Sequence, residues 1–545
     1  MTTVTTPLDA QLMITVYLQR DKHENGMTIQ EYADAVIAGT QSVLGHDEYV
    51  YQFGAVKDEV ILVADWATDN GLTVDEANIN SATVKLSGTA EQFNDIFNIT
   101  LQTVTEDGRE YVTHTDAITI PTDIDAVVDL ILGLDNSVSF SHNAILDTTV
   151  TGDLNPNIIA SPTPVDLALA YKFPRAPGSN LVQGKGACVA IIELGGGWTT
   201  QNLTSTFGRI GQPNPTMVDV SVDGAVNDGG VDVNSSGEVM LDIYCVGAVV
   251  PAAKIAMYFA PNSFQGFIDT IITPTNDTVN NPSVISVSWG TTDSNWGSTN
   301  ITAFETALAA AVVKGITVFI AAGDYGVRAI SGGPTYTVQY PGTSPYCVCA
   351  GGTVISINDD YSIASEIPWG TSGGSFAGGG GVSTRFSVPS WQTGFNSKTY
   401  PSGTVSALTG RGIPDVSAMA TGYTFYYGAG NYTGTFVGTS ATAPLLAGMM
   451  ARLNQLSGKR IGFVNSDWYA VRTTAFNDQT SGDNHGGNTV GYMADTGWDA
   501  ATGLGTPIGT ELYKLYKIGT TYPKQNDGFR PATGTSYPRR TTGVR

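Results

Sequence analysis

Four nearly uninterrupted apolar runs, with a helical pattern between each consecutive pair, constrain this chain more than any other feature. They span residues 189–194, 254–259, 284–289 and 316–321, and the helical patterns span 238–249, 264–272 and 301–313. A strand with no polar face must be covered on both sides, and helical crossovers achieve that for parallel strands. The expectation is therefore an α/β domain with a doubly wound parallel sheet. Ligands of such sheets bind beyond the carboxyl ends of the strands. That gives weight to Glu193, to Trp289 with Gly290, and to Asp324, each at a strand's end.

Downstream, Val437-Gly438-Thr439-Ser440-Ala441-Thr442-Ala443-Pro444 leads from a Tyr/Gly-rich run into a helical pattern at 445–456, closed by Gly458. A serine at that junction has its hydroxyl near the positive end of a helix dipole, where an alkoxide is favoured. The plainer alternative is that Thr439 or Ser440 is an N-cap. A nucleophilic serine needs a base. Beyond residue 165 the chain has one histidine, His485, in a Gly/Asn-rich loop with no apolar frame. A histidine-dependent, subtilisin-type triad would rest on it alone.

Carboxylates are better placed. Glu238 and Asp242 are four residues apart, on one helix face. Ser235 and Glu238 also spell a capping box, which accounts for Glu238 but leaves Asp242 unexplained. A close carboxylate pair raises one pKa, as a general acid or base requires. Asp324 reads either as a turn residue or as a group at the sheet's carboxyl edge. A carboxyl group beside an oxyanion helps only when protonated, which predicts activity in acid.

Length divides the chain further: 545 residues exceed one ordinary domain. Residues 1–136 read as an α+β unit with strands at 12–18 and 83–86. Its helices are expected at 29–43, 57–68, 91–97 and 124–134, with a hairpin at 101–113 turning at Asp107-Gly108. Two βαβ-like halves suggest a ferredoxin-like sandwich. Residues 137–165 read as a cleavable linker rich in Ser, Asn, Thr and Pro, 166–518 as the α/β domain, and 519–545 as a mobile basic tail. The net charge of −23 excludes nucleic acid as a partner. The first 150 residues hold 24 Asp/Glu against 5 Lys/Arg, and the remainder 25 against 21. The acidic part is expected to meet cations on the α/β domain, such as Arg385 or Arg411, in pairs that acid breaks. The four cysteines lie in apolar runs and read as buried free thiols. No stretch is long and apolar enough to span a membrane, and the N-terminus lacks an ordinary export signal.

These residues carry a resemblance. Ile192-Glu193-Leu194-Gly195-Gly196-Gly197, Gly237-Glu238-Val239-Met240-Leu241-Asp242, Ser288-Trp289-Gly290 and Ala321-Ala322-Gly323-Asp324 occur in that order. Gly378-Gly379-Gly380-Gly381-Val382-Ser383, Gly412-Ile413-Pro414-Asp415-Val416 and Gly438-Thr439-Ser440 follow. Together they resemble the sedolisin, or serine-carboxyl peptidase, family, and within it the kumamolisin group. The resemblance implies a subtilisin-like catalytic domain behind a ferredoxin-like activation propeptide that inhibits it within one chain. It implies Ser440 as nucleophile, Glu238 as general base, Asp242 sharing its proton, Asp324 as oxyanion donor, and Glu193 and Trp289 as supporting network. It also implies one structural Ca²⁺ at Asp478, Gln479, Asp495, Gly497 and Asp499; a solvated acidic loop is the alternative. The expected protein is a monomeric, acid-active, self-processing endopeptidase on protein or peptide substrates. It would be extracellular, exported by a non-classical route. A particle-associated interaction protein carrying such a domain is the alternative.

Overall fold

The structure is a computed structural model that describes residues 1–20, 26–106, 108–146, 158–159 and 161–517. The tail expected at 519–545, the turn residue Asp107 and residues 147–157 lie outside the described residues.

The N-terminal domain is a four-stranded sheet in the order Thr73–Asn78, Thr83–Thr89, Gln11–Leu18, Val128–Leu132, with every neighbour antiparallel. Helices Lys57–Asp69 and Ala90–Phe97 cover one face, where Val63, Phe93 and Phe97 pack against Val16, Val84 and Ile131. This is the ferredoxin-like arrangement of two split βαβ units. The helix expected at 124–134 is instead the strand Val128–Leu132. Val128 and Ile131 are buried and Asp129 is exposed, an edge-strand pattern that a short apolar run does not distinguish from a helix. The helix expected at 29–43 is Ile29–Ile37. A further helix, His46–Phe53, was hidden by its polar composition; it buries only Tyr49 and Phe53. These two helices pack with Ser298–Val313 into a core that continues into the second domain.

The second domain is built on an eight-stranded sheet. Its path runs Thr216–Ser221, Lys254–Phe259, Cys188–Glu193, Val284–Val287, Thr317–Ala321, Val348–Ile357, Ile363–Pro368, and Val416–Met419 also pairs with Val348–Ile357. All of these pairs are parallel except the one to Ile363–Pro368. Along Cys188–Glu193, Val189 and Ile191 face one core and Cys188, Ala190 and Ile192 the other. Helices Val233–Val249 and Thr442–Ser457 cover the first face, and Phe264–Asn276 and Ser298–Val313 the second. All four cysteines are buried and free.

Part of the segment that reads as a linker is not loose. Ser141–His142 pairs antiparallel with Trp289–Thr292, and Ile145–Leu146 pairs antiparallel with Tyr432–Val437. Asn143 and Ala144 between them are buried. The chain leaving the N-terminal domain therefore crosses the second domain in extended form, at the carboxyl edge of the sheet.

Candidate active site

Ser440 lies in a 3-10 turn, Thr439–Ala441, between the strand Tyr432–Val437 and the helix Thr442–Ser457. That helix has Ala441 at its N-cap and no side-chain cap bond. The N-cap reading of Ser440 and Thr439 therefore fails. The Ser440 hydroxyl is buried and, among the described residues, has no hydrogen-bond partner. Gly438 makes the approach possible: its φ is 151°, and a Cβ there would lie 1.7 Å from the Asn143 carbonyl oxygen and 2.8 Å from Asp324 Oδ2.

Glu238 and Asp242 sit on the helix Val233–Val249, both fully buried. Asp232 caps this helix, accepting from the N–H groups of Asn234 and Ser235. Glu238 is thus no capping-box residue, and among the described residues neither of its oxygens has a hydrogen-bond partner. A residue the sequence reading passed over stands beside it: His142 Nδ1 is 3.4 Å from Glu238 Oε2. Asp242 accepts from Ser288 Oγ at 3.0 and 2.9 Å. Glu193 ends its strand with Oε2 accepting from Trp289 Nε1 at 3.1 Å. The His142 ring meets the Trp289 ring edge-on at 5.3 Å.

Burial, then the Glu238 charge, pushes Glu193 and Asp242 well above the usual carboxyl range. Burial also raises Asp324, against the pull of its bonds from Thr439. Asp324 Oδ1 accepts from the Thr439 N–H and Oγ1, both at 2.8 Å. Its Oδ2 is buried without a partner, on the side of Gly438 and the Asn143 carbonyl. A neutral carboxyl whose free oxygen faces a carbonyl is a hydrogen-bond donor for that oxygen. His142 is raised overall: burial works against the charged ring, but Glu238, the Ala144 backbone and Asp232 together outweigh it.

His485 is engaged elsewhere. Its Nδ1 contacts Asp483 Oδ1, and its ring stacks on Tyr400 at 4.5 Å. No described hydrogen bond joins it to Ser440.

The loop expected to hold a metal divides. Asp478 Oδ2 accepts from the Gly497 N–H at 2.8 Å, and Asp499 Oδ2 accepts from the Asp495 N–H at 3.2 Å. Asp499 is fully buried and is pushed up to about 7, by burial first and by Asp478 in part. These two carboxylates share one loop and suit a hard cation. Asp495 does not join them with its side chain, which pairs with Lys398 Nζ at 3.1 Å. Gln479 turns its amide to the Asn477 carbonyl and to Glu366. Among the described residues no group of three or more His, Cys, Asp or Glu side chains is arranged to hold a metal ion.

A buried serine at a helix start, two buried carboxylates on one helix and a buried carboxyl beside the serine turn, all on a subtilisin-like sheet, fit the class of serine-carboxyl peptidases. Residues 5–137 match the family described as Pro-kumamolisin, activation domain, and residues 227–505 match the Subtilase family. The chain belongs to the kumamolisin group of the sedolisin family. It is 36% identical over 513 residues to kumamolisin of Bacillus sp. (strain MN-32), covering 92% of this chain and 91% of that protein. It is 28% identical over 487 residues to sedolisin of Pseudomonas sp. (strain 101), covering 84% and 79%. A solved structure of Pseudomonas sedolisin, complexed with two molecules of pseudo-iodotyrostatin, superposes with a TM-score of 0.56. It is 25% identical, covering 67% of this chain and 98% of that one.

Proposed function

We propose that this chain is the zymogen of an acid-active endopeptidase that cuts itself between Asn143 and Ala144. One observation carries the reading: the strand 141–146 crosses the site as a substrate would. The Asn143 N–H donates to the Ser288 carbonyl at 3.2 Å, and the Asn143 carbonyl and the free oxygen of Asp324 both lie beside Gly438.

In this reading Ser440 Oγ attacks the Asn143 carbonyl carbon while Glu238, backed by Asp242, takes its proton. Asp324, kept neutral by burial, donates to the oxygen that becomes negative. The proton then passes to the Ala144 nitrogen as the bond breaks, leaving residue 143 esterified to Ser440. Water, deprotonated by the same base, releases it. Until the cut, the segment fills the cleft, and the pro-domain inhibits by occupation. Its substrates in trans are peptides and extended protein segments, met in an acidic extracellular setting. A calcium ion held by Asp478, Asp499 and carbonyls of the same loop would supply stability rather than chemistry.

The test is mass against pH. Wild type should lose residues 1–143 at about pH 4 and stay whole at pH 7. Ser440→Ala, Glu238→Ala and Asp242→Ala should stay whole at both and hydrolyse no peptide. Because the three groups act as a unit, a double variant should be no worse than a single one. Trimming of Ser440→Ala at the wild-type rate, without other protease, would sink the reading.

A further inference from the structure

We infer that the enzyme selects a carboxamide side chain, that of asparagine, immediately before the cut bond, and that Gln339 reads it. The inference rests on the self-cutting reading and names the substrate class of that site. Asn143 and Gln339 are both 2% exposed, and their side-chain amides face each other. Asn143 Nδ2 donates to Gln339 Oε1 at 2.9 Å and to the Ser288 carbonyl at 3.2 Å. Gln339 Nε2 donates back to Asn143 Oδ1 at 3.2 Å and to the Ala329 carbonyl at 3.4 Å. Every amide group of the pair has a partner, and the pattern leaves no freedom to exchange the two ends of either amide. Swapping O and N on Asn143 would set its acceptor against the Ser288 carbonyl.

Glycines shape the pocket. A Cβ on Gly290 would lie 2.8 Å from Gln339 Cδ, and one on Gly323 3.3 Å from Gln339 Oε1. The two strand ends thus hold the Gln339 amide between them, facing the cleft. An aspartic acid in place of Asn143 could donate to only one of the two acceptors, and once ionised to neither. A leucine would leave the buried Gln339 amide unpaired. A site built to hydrogen-bond a substrate group rejects the analogue lacking it far more strongly than a merely apolar pocket does.

The experiment uses enzyme obtained by acid processing of the full chain. Its substrates are peptides of the sequence 138–148 carrying Asn, Asp, Ala or Leu at the position of residue 143. The kcat/KM for Asn should exceed that for Asp and Leu by roughly 100-fold or more. Gln339→Leu should bring the Asn to Leu ratio to within about 10-fold. In the full chain, Asn143→Leu and Asn143→Asp should slow loss of the N-terminal domain in the same order as the peptides. Equal cutting of Asn and Leu peptides by wild type, or an unchanged ratio in Gln339→Leu, overturns the assignment while leaving the peptidase reading intact. Cutting of the peptides at another bond does the same. No cut in any peptide and no loss of the N-terminal domain overturns the peptidase reading and this inference with it.

Discussion

In the proposed mechanism, Asp324 is one buried carboxyl that would set a pH range. Burial raises it, so its neutral form persists well above the range of an exposed aspartate. Its contribution as a donor is present below the raised pKa and is lost as pH rises through it. Asp324→Asn carries an N–H donor at every pH. It should keep activity within roughly 100-fold of wild type, the usual cost of deleting such a donor outright, and its pH–rate profile should extend upward. A uniform loss with an unchanged profile would make Asp324 structural. This residue was legible in the sequence because it ends an apolar strand, and Glu238 with Asp242 because four residues make one helix face. His142, Asn143 and Gln339 were not. His142 and Asn143 stand in a run whose composition reads as linker. Their partners, Glu238, Ser288 and Gln339, are about 100 to 200 residues away along the chain, and only strand pairing across the cleft brings them together. The one available signal was a histidine and an asparagine between two apolar positions, Phe140 and Ala144.

At the scale of elements, the two domains are joined by charge of the opposite sense to that expected. Arg411 is buried in the second domain against Asp415, and Arg385 donates to the Asp293 carbonyl. Among the described residues, the Lys–carboxylate pairs between the domains are made by a cation of the acidic one, while Lys314 of the second domain reaches His46 Nδ1 at 3.0 Å and lies over the Tyr49 ring. Lys85, on the strand Thr83–Thr89, pairs with Asp223 and with Asp269, the latter at 3.1 Å. Tyr17 and Thr15 also donate to Asp269, at 2.7 and 2.9 Å. Asp223 is pushed up to about 7, by burial first and then Asp269, against the pull of Lys85. A carboxyl whose pKa is raised by docking takes up a proton on docking. Its contribution therefore favours the docked form increasingly as pH falls from about 7 toward the free value near 4. His142, raised in the same state, acts in the same direction: its contribution is present in acid and lost as pH rises through its raised pKa. In the proposed self-cutting, acid would therefore favour the docked strand while it keeps Asp324 neutral, and separation would follow the cut. Lys85→Met leaves two buried carboxylates without a cation, at a cost of roughly 3–5 kcal/mol. Hydrogen exchange in Lys85→Met with Ser440→Ala should show the strands Gln11–Leu18 and Thr83–Thr89 deprotected relative to Ser440→Ala alone. Equal protection would make the cluster dispensable for docking. The strands of the second domain were readable because burial on both faces leaves nearly pure apolar runs. The strand Val128–Leu132 and the helix His46–Phe53 were not, since each is short and takes its state from the neighbour it covers.

Across the whole molecule, the loop at 478–499 brings Asp478 beside the buried Asp499, whose carboxyl is pushed up to about 7 by burial first and by Asp478 in part. If Asp478 and Asp499 hold calcium, chelation at neutral pH should lower the melting temperature of Ser440→Ala and added Ca²⁺ should restore it. A ligand at 100 times its Kd contributes about 2.7 kcal/mol. Asp478→Ala should melt at one temperature with or without chelator; an unchanged melting temperature in the parent chain would leave the loop merely solvated. The strand 141–146 has a different consequence, which begins once it has gone. It bridges two edges, Trp289–Thr292 and Tyr432–Val437, and its departure leaves their backbone groups facing an open trench. Only another extended chain can satisfy both edges at once, over about six residues or ~20 Å. A helix, or a segment tied into its own sheet, offers no free backbone to either edge. If the proposed cut frees this trench, the mature enzyme would be a detector of unfolding: loss of secondary structure would decide which segments can enter it, and side chains would then choose the bond.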